Sequence, residues 1–177
     1  MTSYFSDGMT RHKLCIMYVL SIMRADLTRV QLTTILAQND WVTYFDAQAG
    51  IAELEEAGLI AAIPYSYGQG YRLTKQGDEL LSLFIERLPK SLREQCNDYI
   101  EANREKLRAQ VQYTSFVEKQ PNGAYAVCLR ALERDRTLFS IKLDVPDSAT
   151  ARHACRAWTE KAEVIYQHLV QALLLDG

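Results

Sequence analysis

One stretch constrains the fold more than any other. It is Ile51-Ala-Glu-Leu54-Glu-Glu-Ala-Gly58-Leu59-Ile60, followed by Gly70-Tyr71-Arg72-Leu73-Thr74-Lys75-Gln76-Gly77. Ile51 and Leu54 lie one helical turn apart, and Gly58 is the residue type that turns a chain out of a helix through positive φ. Leu59 and Ile60 then enter the core as the start of a strand. Tyr71 to Leu73 read as a returning strand, with Pro64 to Gly70 as turn material between, and Thr74 caps a further helix. A helix, a β-hairpin and a second helix are therefore predicted in succession.

Upstream, Arg11 to Arg24 is apolar on nearly every side, which suits a buried helix. Thr28 and Gln31 form a capping box, flanked by Leu27 and Leu32 as a hydrophobic staple, so Arg29 to Gln38 reads as a second helix. Thr43 caps a third, in which Tyr44, Ala47, Ile51 and Leu54 are expected to face inward and Asp46, Ala49, Gly50 and Glu53 outward. Downstream, Leu80, Leu81, Phe84 and Leu88 mark the fourth helix, which Pro89 stops. Ser91 with Glu94 suggests a capping box for a long polar helix to about Val111.

Three strands follow: Gln112 to Glu118, Tyr125 to Ala131 and Thr137 to Val145, the first two joined through Pro121-Asn122-Gly123. A last helix begins at Asp147 or Ser148. Its Ala154, Trp158, Ala162, Ile165, Leu169 and Leu173 recur at steps of four and three, and this stripe is expected to cover the meander.

The stretch from Leu54 to Gly77 resembles winged-helix regulators such as the MarR and PadR families. Their recognition helix ends in a Gly-Leu-Ile step, and their wing returns as Tyr-x-Leu-Thr-x-x-Gly. Over its full length the chain resembles a winged-helix family of Gram-positive bacteria catalogued as domain of unknown function 4364. That likeness rests on Trp41-Val-Thr-Tyr-Phe45, Leu88-Pro89-Lys-Ser-Leu92, Trp158 and Tyr166. It implies an α+β protein: an N-terminal winged helix-turn-helix (10–88), a connector helix (89–111), and a small three-stranded antiparallel sheet covered by a C-terminal helix (112–177). It implies a regulatory role and supplies no catalytic residues.

In relatives of this fold the third helix enters the DNA major groove and the hairpin reaches the backbone. Carried onto this chain, the residues expected to meet double-stranded DNA are Arg29, Thr43, Tyr44, Gln48, Tyr67, Gln69, Arg72 and Lys75, with Arg24 and Tyr65 beside them. Charge argues the other way. Formal net charge is −2, residues 1–88 hold 7 basic against 10 acidic side chains, and the third helix has no Lys or Arg. Phosphate binding needs cations. The alternative is a winged helix that docks on another protein, and a third reading places a small ligand among Tyr113, Tyr125, Trp158 and Tyr166.

Other classes find less support. Cys15, Cys96, Cys128 and Cys155 form no C-x-x-C pair, and His12 with Cys15, or His153 with Cys155, lacks a second pair at zinc spacing, so no metal and no cofactor are expected. No nucleophile or H-E-x-x-H motif points to an enzyme. Leu14 to Ile22 falls short of a membrane span, and the N-terminus lacks signal-peptide character, so the chain is expected to be cytoplasmic and its cysteines reduced. A homodimer is expected on separate grounds, because symmetric DNA sites favour two-fold proteins and the connector and final helices offer amphipathic surface.

Overall fold

Strong local signals open and close most helices of the computed structural model, which describes residues 7–65, 68–133 and 136–175. The chain is a mixed α+β protein that divides into two compact units, Met1–Arg104 and Glu105–Gly177. Among the described residues there are six α-helices and two three-stranded antiparallel sheets. No described helix is long and apolar enough to cross a membrane.

In the first unit α1 (Asp7–Met23) is central, buried without interruption from Leu14 to Leu20. A two-residue strand, β1 (Leu27–Thr28), precedes α2 (Arg29–Gln38). The capping box is formed: the Gln31 amide donates to the Thr28 hydroxyl and the Thr28 amide to Gln31 Oε1, each at 3.1 Å. Thr43 caps α3 (Tyr44–Glu56), its hydroxyl accepting from the Asp46 amide. At the other end Gly58 has φ +70°, the Leu59 amide donates to the Leu54 carbonyl and the Gly58 amide to the Glu55 carbonyl. That pair of bonds is a Schellman stop, with buried Leu54 and Leu59 closing the turn.

The hairpin that follows is longer than the turn-rich sequence predicts. β2 (Ile60–Tyr65) and β3 (Gly68–Leu73) stay paired out to Tyr65 and Gly68. Pro64 is tolerated because β2 is an edge strand in the order β1-β3-β2. β1 pairs with the other side of β3, Leu27 opposite Tyr71. α4 (Lys75–Phe84) starts under Thr74, whose hydroxyl accepts from the Gly77 amide. It tightens into a 3₁₀ turn at Ile85–Arg87, and Leu88 takes the extended conformation required before Pro89.

α5 (Lys90–Gln112) starts one residue before Ser91, with the Pro89 carbonyl accepting from the Leu92 and Arg93 amides. Ser91 is thus inside the first turn and is not the cap expected of it. The first half of α5 is built into the first unit. Trp41 Nε1 donates to Gln95 Oε1 at 3.2 Å and its ring stands edge-on to Tyr99; Asn97 Nδ2 donates to the Tyr18 hydroxyl, and Arg104 Nη2 to the Ile22 carbonyl.

The second unit is a meander of β4 (Tyr113–Lys119), β5 (Tyr125–Glu133) and β6 (Arg136–Val145), with β5 central. Gly123 at φ +84° makes the first turn. α6 (Ser148–Val170), capped by Asp147, lies on the face carrying Tyr113, Val127, Leu129 and Ala131, and packs Ala151, Trp158 and Ala162 there. The helix runs on as a π-helical turn, Gln171–Leu175. The expected stripe is covered only in part: Trp158 and Ala162 are buried, whereas Ile165 and Leu173 are exposed.

Candidate nucleic-acid interface

The phase of α3 decides what this surface offers. Its buried residues are Ala47, Gly50, Ile51 and Leu54. Gly50 faces inward, against expectation, because α1 crosses so closely that a Cβ there would stand 2.6 Å from Ile16 Cδ1. Tyr44 is 52% exposed, also against expectation. Turning Gly50 into the core rotates Tyr44 to the flank of the stripe, at the first turn, where its ring stands edge-on to Phe45 and is half exposed.

Each flank of α3 is then tied within the unit. On one side, Gln48 Nε2 donates to the Tyr44 hydroxyl at 3.1 Å, Arg29 Nη1 to Gln48 Oε1 at 3.0 Å, and Arg29 Nη2 to the Tyr71 hydroxyl at 2.6 Å. The Tyr71 hydroxyl in turn donates to Glu55 Oε2 at 3.4 Å, and the Arg29 guanidinium lies 5.2 Å from the centre of the Tyr71 ring. On the other side Lys13 pairs with Glu53, and His12 Nδ1 is 3.8 Å from Asp46. What remains outermost is Phe45, Ala49, Ala52 and Glu56, all exposed, with Phe45 at 81%. This ridge is largely apolar and carries no cation.

The predicted contacts therefore divide. Arg29, Tyr44 and Gln48 are brought together, and Thr43 stands beside them as the cap of α3, its hydroxyl donating to Asp46 Oδ2 at 2.7 Å. Arg72, on β3, is committed elsewhere: Nε and Nη2 donate to the two oxygens of buried Asp26 at 2.7 and 2.9 Å. Lys75 is exposed at the start of α4, and Arg24 is exposed at φ 55° where α1 has ended. Tyr67 lies outside the described residues, and so do the side chains of Tyr65 and Gln69.

A family model described as Domain of unknown function (DUF4364) matches residues 12–173. The chain belongs to the DUF4364 family. No match was found among curated proteins or among solved structures.

In this DUF4364 chain the residues that sequence reasoning left out of the site are Phe45, Tyr71 and Glu55. Phe45 stood next to the predicted Tyr44 and would have followed from placing Gly50 inward. Tyr71 stands in the wing signature but its local pattern marks only a strand, and Glu55 carries no local signal; both matter at the site by meeting Arg29. Of the four aromatics considered as a ligand site, Tyr113, Tyr125 and Trp158 fill space in the core, and Tyr166 packs on that core while bordering an open groove. Trp158 stands edge-on to Tyr113 at 6.0 Å and stacks on Phe139 at 6.2 Å, and Tyr125 and Tyr166 pack against the same core. Cys15 is buried against α5: a hydrogen bond with Cys96, and then burial, push its thiol pKa up, which keeps it protonated and a poor nucleophile.

The Asp26–Arg72 pair gives a direct test of structural against surface roles. Arg72→Ala is expected to lower stability by about 2 kcal/mol, because it strips a buried carboxylate of a two-pronged partner. Lys75→Ala, at an exposed position, is expected to change it by less than about 0.5 kcal/mol. Urea titrations of the two variants would show the difference; equal midpoints would mean that Arg72 is a surface cation after all.

Proposed function

We propose that the first unit is a winged helix and that the protein is a transcription regulator that binds double-stranded DNA through α3. The observation that carries this reading is the element order: helix, short strand, helix, helix, hairpin and helix, with β1 completing a three-stranded sheet beside the hairpin. Sequence recognition falls to the α3 ridge and its N-terminus. Phe45 and Ala49 offer apolar contact to thymine methyl groups, and Thr43 and Gln48 supply hydrogen-bonding groups. Lys75 and Arg24 supply the phosphate contacts, since Arg29 is engaged by Gln48 and Tyr71 and Arg72 by Asp26. Two copies on a symmetric site double each contact.

The test is fluorescence anisotropy with duplexes from upstream of the protein's own gene and a scrambled control, at low and near-physiological salt. Phe45→Ala is expected to weaken binding to the preferred duplex about tenfold, and Lys75→Ala to weaken all duplexes and reduce the salt slope by about one. Neither residue belongs to the hydrogen-bonded network of α3, so both variants should fold as the parent does. Absence of binding even at low salt would overturn the reading.

The apolar α3 ridge specifically favours a second reading, in which the same surface docks on another protein. An exposed Phe45 on a ridge that carries no cation of its own suits a protein contact better than a phosphate backbone. In that case DNA binding is absent and Phe45→Ala abolishes retention of a protein partner.

A further inference from the structure

α6 carries one apolar stripe whose two ends have different fates. Ala151, Trp158 and Ala162 are buried on the sheet, but in the same phase Ile165 is 37% exposed and Leu173 is 74% exposed. The π-helical turn adds Leu174 at 75% and Leu175 at 71% exposed, and Val164 is exposed on the adjoining side. Residues 164–175 contain no Asp, Glu, Lys or Arg. A helical segment that is apolar on most sides belongs under cover, and among the described residues of the second unit it has little.

We propose that this end of α6 pairs with the same segment of a second copy of the chain, antiparallel about a two-fold axis. Three observations favour a second copy as the occupant. In a two-fold contact the residues near the axis meet their own counterparts, so a carboxylate, lysine or arginine there would face its like; this segment has none of them. The exposed parts of Val164, Ile165, Leu173, Leu174 and Leu175 come to on the order of 500 Å² per chain, so two chains have at most about 1,000 Å² to bury here, the size at which a specific interface begins. Beside them an open groove of about 430 Å³, bordered by Tyr166, Val170 and Leu175, has room for leucine side chains from the partner. Apolar contact of this kind does not weaken as salt rises.

The pairing is independent of DNA binding and is read by mass alone. In sedimentation velocity of the full chain over about 1 to 50 µM, the parent is expected to approach twice the single-chain mass, at high salt as at low. Leu173→Glu with Leu174→Glu is expected to sediment as a single chain throughout, its helix content by circular dichroism unchanged because both side chains are exposed. Leu173→Cys treated with a short bis-maleimide is expected to yield a covalent dimer that the parent does not. A parent that stays at single-chain mass, a double Glu variant that still dimerises, or a Leu173→Cys variant that fails to cross-link would overturn the proposal.

Discussion

Gly77→Ala is expected to destabilise the first unit by about 3 kcal/mol, although an alanine inside a helix ordinarily gains about 1 kcal/mol over glycine. The sign is set by contact. Gly77 sits in the first turn of α4, pressed against the chain leaving α3, and a Cβ there would fall well inside contact distance of the Leu59 carbonyl oxygen. It would also stand 3.0 Å from the Leu59 carbonyl carbon and 2.8 Å from Leu73 Cδ1. Backbone atoms are the obstacle, so relief requires α4 to move away from β2. That movement would disturb the bonds around Leu59, whose carbonyl accepts from the amide and hydroxyl of Thr74. Urea unfolding followed by circular dichroism would show a midpoint lowered with little change in slope. A variant as stable as the parent would mean that helix and hairpin do not meet this closely.

Trp158→Ala is expected to cost the second unit about 3 to 5 kcal/mol. Its ring is the largest fully buried side chain and is held by Tyr113 on β4 and Phe139 on β6, so it joins α6 to both outer strands. Hydrogen exchange of the β5 amides from Val127 to Ala131 would report the loss, because these residues lie directly beneath it in the same core. Trp158→Phe should cost distinctly less: the indole Nε1 makes no hydrogen bond, so phenylalanine forfeits volume but no polar partner. Equal protection in Trp158→Ala and the parent would show that the meander does not depend on α6.

The positions of the helices were largely legible in the sequence, since caps and stops are made between residues three to five apart. Thr28 with Gln31, Thr43 with Asp46, and Thr74 with Gly77 each form the hydrogen bond that their spacing predicts. Gly58 takes the positive φ expected of it, and Gly123 turns the chain within the predicted Pro121-Asn122-Gly123 connection. Ser91 shows the limit of such signals: its motif is present, but Pro89 already offers a free carbonyl and the helix starts there. The short strand β1 was invisible because two residues carry no period, and only the ladder to β3 makes them a strand.

The candidate site was less legible. Arg29 and Arg72 read as free cations, yet Arg29 is engaged by Tyr71 and Arg72 by Asp26, residues 42 and 46 positions away. The orientation of α3 turned on Gly50, whose missing side chain looks like a surface residue in a wheel and is instead the point where α1 comes closest. The stripe of α6 was correctly placed around the helix, but its period says nothing of how far along it cover extends.

What the sequence determined by itself was the order and ends of the helices, because the interactions responsible span a single turn and depend on residue type and spacing. Which charges remain available to a partner, which side of α3 faces out, and where the apolar stripe of α6 loses its cover were decided only in the tertiary structure. Those properties belong to pairs of residues far apart in the chain, and packing alone selects the partners.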